Sequence, residues 1–108
     1  MFVKDINVML DEGSKLKHAR RVALGPNGKY AISVLTTRSS NSTPADGDAV
    51  ARIYLGDGSA WITPTILNIG KLQANHSEGS TNHPFLLVVL EAVNSGINIT
   101  CDLSINTF

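Results

Sequence analysis

The sequence predicts an all-β fold: a single-domain antiparallel β-sandwich, jelly-roll-like, with about seven or eight short strands. Three observations carry this reading. Apolar and polar residues alternate along several stretches, most clearly in INITCDLSI. Turn residues interrupt those stretches at roughly 8–12-residue intervals. The chain has 108 residues, 43% of them hydrophobic, enough for one domain, spanning 1–108, with a core of its own.

Each element follows from a local pattern. FVKDINVML alternates at Ile6, Val8 and Leu10 and reads as the first strand. Residues 15–24 fit two descriptions: Ser14 could cap a helix that Gly25 and Pro26 end, or the segment is a strand. The turn Gly25-Pro26-Asn27-Gly28 favours the strand, because Pro presets φ inside the turn and Gly takes its left-handed end. KYAISVLTT follows, with Tyr30, Ile32 and Val34 on one side. RSSNSTPADGDA, residues 38–49, offers nothing larger than Ala to bury and is expected to be a mobile loop. ARIYLG and AWITPTIL form a hairpin. QANHSEGSTNH, residues 73–83, reads as a second long polar loop. PFLLVVLEAV is continuously apolar, as a central strand covered on both faces would be. In INITCDLSI, Ile97, Ile99, Cys101, Leu103 and Ile105 share the buried face.

The hairpin holds the main candidate site. With Gly56-Asp57-Gly58-Ser59 as the turn, Leu55 lies opposite Ala60 and Tyr54 opposite Trp61. Ala51, Ile53, Leu55, Ala60 and Ile62 then make an apolar face, and Arg52, Tyr54, Trp61 and Thr63 make the other. Two rings away from the core can be cross-strand packing, a contact with another subunit, or a stacking platform for a sugar or base.

A second candidate is the basic cluster Lys15, Lys17, Arg20 and Arg21, with His18 inside it. Seven of the nine Lys and Arg precede residue 40, so the charge is lopsided although the net charge is zero. Basic clusters bind phosphates, but the aromatic residues that single-strand binders interleave are missing, which disfavours nucleic acid. A basic edge that blocks unwanted strand pairing accounts for the cluster equally well. His76 and His83 with Glu78 match no zinc spacing, and the fragments around Asp46, Asp48 and Asp57 are too short for a calcium loop. Cys101, on an apolar face, is expected to behave as a small hydrophobe. No serine stands in an elbow motif.

These features point away from an enzyme and from any cofactor or metal. Charged residues are only 17%, which gives weak repulsion between copies. The function expected is that of a non-enzymatic structural or assembly protein acting as a homo-oligomer, dimer or trimer. Across its whole length the chain, low in charge and rich in Asn, Ser and Thr, looks like small virion proteins of phages, such as capsid decoration or tail proteins. That resemblance implies other virion proteins as partners. The alternatives are a carbohydrate-binding module using Trp61 and Tyr54, and a small hydrolase whose site is not visible in sequence. The N-terminal stretch carries Lys4, Asp5 and Asn7, so it is no signal-peptide core, and no run is long enough to span a membrane. Synthesis in the cytoplasm without a signal peptide, and incorporation into a virion, are the expectation.

Overall fold

A computed structural model describes all residues, Met1–Phe108. The chain forms eight strands and no helix: β1 (Phe2–Asp11), β2 (Lys17–Ala23), β3 (Lys29–Ser39), β4 (Ala49–Gly56), β5 (Thr65–Ile69), β6 (Ala74–Ser80), β7 (Phe85–Ala92) and β8 (Asn98–Thr107). They pair antiparallel in two four-stranded sheets, ordered β1-β8-β3-β6 and β2-β7-β4-β5. This is the strand order of a jelly roll.

The core lies between the sheets. β8 supplies Ile99, Cys101, Leu103 and Ile105, as its alternation requires, and β3 supplies Tyr30, Ile32 and Val34. The facing sheet contributes Leu86, Val88, Leu90 and Ala92 from β7 and Ala49, Ala51 and Ile53 from β4. The segment at 15–24 is a strand, edge strand β2, whose Val22 enters the core. In the turn before β3, the Gly28 amide bonds to Gly25 O at 3.0 Å, with φ at +62°. A side-chain carbon at Gly28 would lie 1.9 Å from Thr81 O, so the position admits only glycine.

Four details differ from the sequence reading. Ile6 is 63% exposed, because the register of β1 against β8 shifts between Asp5 and Val8. Asn7 takes φ +53° in that bulge and its amide bonds to Asp102 Oδ1, which puts Val8 and Leu10 in the core and turns Ile6 out. Residues 74–80, inside the expected loop 73–83, form β6. This strand buries no residue; its backbone ladder on β3, from Lys29↔Ser80 to Leu35↔Ala74, holds it. The segment 38–49 is shorter as a loop, since β3 runs to Ser39 and β4 starts at Ala49. Its remainder is tied down by Asp48, which is 2% exposed. Finally, β7 is central but covered on one face only: Phe85, Leu87, Val89 and Glu91 point away from the core and stay half-buried.

Cys101 is fully buried, and its thiol is pushed up to about 12 by burial and then by the charge of Asp102. It is therefore expected to react with thiol reagents only as fast as the protein unfolds. Cys101→Ser should cost roughly 1–3 kcal/mol by placing a hydroxyl among apolar side chains. Rapid labelling of native protein would contradict both statements.

Candidate outer-face site

The face of the β2-β7-β4-β5 sheet that points away from the core brings together residues far apart in sequence. Outward positions of β2 are Lys17, Ala19, Arg21 and Ala23; those of β7 are their partners Glu91, Val89, Leu87 and Phe85. β4 continues the same rows with Val50, Arg52, Tyr54 and Gly56. β5 adds Ile66 beside Arg52 and Asn68 beside Val50. From Phe85 to Glu91 the face runs about 20 Å along the strand.

The hairpin that starts at Tyr54 turns one residue later than expected, which shifts its pairing by two residues and keeps each side chain on its expected face. The Asp57 amide bonds to Ala60 O at 3.2 Å, the Ile62 amide bonds to Leu55 O at 2.9 Å, and Gly56 pairs with Trp61. The turn is thus Asp57–Ala60, and Trp61 lies opposite Gly56 rather than Tyr54. The Asp57 carboxylate sets this register. It accepts the amides of Ser59 and Ala60, both at 2.8 Å, and these bonds hold it below the usual carboxylate range.

The rings nevertheless share a face. Gly56 is in phase with Arg52 and Tyr54, and a side-chain carbon on it would lie 2.8 Å from Trp61 Cε3. The Trp61 ring therefore occupies the outward space that Gly56 leaves free. On the other side of Gly56, Phe85 carries the Arg21 guanidinium, 4.3 Å from the ring centroid. A side-chain carbon on Gly58 would lie 2.8 Å from Arg21 Nη2 and 3.4 Å from Phe85 Cδ2, so the hairpin tip closes over this end. Ala23, Phe85, Gly56 and Trp61 make one row and Arg21, Leu87 and Tyr54 the next, with the Arg21 side chain reaching across to the Phe85 ring. Thr63 is exposed in the irregular stretch before β5, outside the ladder.

Arg52 sits mid-face in an ion pair with Glu91, which Lys17 also approaches at 2.9 Å. Bonds from Lys17 and then Arg52 hold Glu91 below its ordinary value. The basic cluster read in the sequence does not stay together. Lys17 and Arg21 point outward, whereas His18 and Arg20 turn to Asp5 of β1, at 2.8 and 3.6 Å. Lys15 pairs with Glu12 in the β1–β2 turn at 2.9 Å. His76 and Glu78 lie on β6, with His83 in the loop before β7; Asp46 accepts Gln73 Nε2 at 3.1 Å. Phe85, Leu87 and Val89 were missed as site residues. The signal was the alternate set in PFLLVVLEAV, which is apolar on the side that faces away from the core.

No protein-family model and no curated protein matches the sequence. Among solved structures, the fold is similar to that of the CBM22-1–GH10 modules of Clostridium thermocellum endo-1,4-β-D-xylanase 10B complexed with xylohexaose. The identity is 8% and the TM-score 0.55, over 95% of this chain and 27% of that one. A family 35 carbohydrate binding module from Clostridium thermocellum aligns at 18% identity and TM-score 0.46, over 85% of this chain and 70% of that one. A Bacillus endospore appendage pilus protein aligns at 13% identity and TM-score 0.38, over 100% of this chain and 89% of that one. At such identities the likeness is one of fold alone.

Proposed function

We propose that the chain is a non-enzymatic binding module whose outer β2-β7-β4-β5 face takes a glycan, with Trp61 and Tyr54 as the stacking residues. One observation carries this reading: Trp61 and Phe85 flank Gly56, with Tyr54 in the next row, on an open sheet face instead of in the core. Ring faces left half-open to water suit the apolar side of a sugar ring, and Arg52, Lys17 and Glu91 supply hydrogen-bonding groups along the same strip. The concavities of the molecule lie elsewhere and include neither Tyr54 nor Trp61, so the face fits a chain lying along it better than an enclosed small molecule.

Titration of Trp61 fluorescence with xylohexaose, cello-oligosaccharides and plant and bacterial polysaccharides tests this directly. At least one glycan should shift the emission, and Trp61→Ala or Tyr54→Ala should each weaken retention on that glycan about tenfold while the protein stays folded. Unfolding of Trp61→Ala, or silence towards every glycan, would sink the reading.

Self-association is a second reading, favoured by edge strand β1. Phe2, Ile6 and Met9 are 61–63% exposed there, with Leu16 beside them at 45%, an apolar edge that a second copy could cover. Assembly into a dimer, a trimer or a virion belongs under this reading. A monomer by light scattering at micromolar concentration counts against it, and Ile6→Lys should shift any oligomer towards monomer.

A further inference from the structure

We propose that the glycan taken by the outer face is anionic, a polysaccharide bearing carboxylates, and that Arg21 reads them. This rests on the glycan-binding reading and deepens it.

The chain as a whole balances nine Lys and Arg against nine Asp and Glu. The outer face does not: Lys17, Arg21 and Arg52 stand on it against the single carboxylate of Glu91. Glu91 is already shared between Lys17 and Arg52. Arg21 has neither an ion pair nor a side-chain hydrogen bond within the chain. Its guanidinium rests on the Phe85 ring, held between that ring and Gly58 at the hairpin tip. The neighbouring acid of the tip, Asp57, spends its carboxylate on the Ser59 and Ala60 amides.

Stacking on a ring fixes a guanidinium while leaving its in-plane N–H donors free, the geometry that grips a carboxylate with two parallel hydrogen bonds. A sugar stacked on Trp61 would pass next to this group, because the guanidinium lies over Phe85, which stands in the Trp61 row. A neutral chain lying there would strip water from Arg21 and return no charge, whereas a uronate carboxylate would pair with it. The local excess of positive charge also draws a polyanion to the face.

Isothermal titration with polygalacturonate as the anionic probe and xylohexaose as the neutral one decides the matter. Polygalacturonate is expected to bind at least about tenfold more tightly, and raising the salt to about 0.5 M should weaken it markedly. Arg21→Gln, an exposed substitution whose folding is checked by circular dichroism, should cost about tenfold for polygalacturonate and little for xylohexaose. Arg21→Lys should recover only part, because the ammonium lacks the planar fork. Equal binding of both probes, unmoved by Arg21→Gln, would overturn the anionic assignment and leave the glycan reading standing. Binding of neither probe, nor of any other glycan, would overturn both.

Discussion

Leu103→Ala is expected to lose about 3–5 kcal/mol of stability in urea unfolding, while Leu87→Ala loses about 1 kcal/mol. The two leucines sit on central strands of opposite sheets, and they differ in what covers them. Leu103 is fully buried between the sheets, in register with Asp5 of β1 on one side and Val34 of β3 on the other. Truncation there leaves a cavity that neither sheet can close without breaking its ladder. Leu87 points outward from β7 and is half-covered by its row neighbours alone. An equal cost at both positions would mean that a further layer, another copy of the chain, covers the outer face in solution. The pair thus separates a free binding face from a buried interface.

The contrast also marks what the residues reveal on their own. β8 was legible because one of its faces is apolar and the other polar. β6 was not, because its inward residues Asn75, Ser77 and Gly79 are polar or small and only half-buried, and the strand exists by virtue of the backbone of β3. The bulge at Asn7 was hidden for a related reason: Ile6 continues an apolar alternation that the register shift at Asp5–Val8 breaks.

The candidate site was half legible. Arg52, Tyr54 and Trp61 lie on the outward face and Thr63 lies outside the ladder, and the hairpin pairs two residues away from the expected register. Two turns compete in YLGDGSAW, and the Asp57 carboxylate decides between them by capping Ser59 and Ala60. Phe85, Leu87 and Arg21 could not be grouped with Trp61 from sequence, since only the jelly-roll connections make β2, β7 and β4 neighbours. The basic cluster misled because a strand sends alternate residues to opposite faces, which separates Arg20 from Arg21.

Asp48→Ala is expected to cost about 2–4 kcal/mol and to open the 40–48 loop to proteases. The carboxylate is the organising centre of that loop. Its Oδ2 accepts Asn41 Nδ2 at 2.8 Å and the Ala45 amide at 3.1 Å; its Oδ1 accepts Asn94 Nδ2 at 2.6 Å. The backbone oxygen of Asp48 takes the amides of Val93 and Asn94, which fastens the loop to the end of β7. Loss of the side chain leaves three donors facing a gap. Burial pushes the Asp48 carboxyl up, but the bonds from Asn41, Ala45 and Asn94 outweigh it and hold the group below the model-compound value of 3.8. Since the folded-state pKa lies below the unfolded one, the stability contributed by this group is full above about pH 4 and drains away as pH falls through the folded value. Asp48→Asn keeps the shape, but its amide nitrogen must meet a donor, either Asn94 or the Asn41–Ala45 pair. It should be destabilised at pH 7 and lose less on acidification than the wild type. Unfolding by urea at pH 7 and pH 3 measures both effects, and an acid sensitivity unchanged by Asp48→Asn would remove Asp48 as its source.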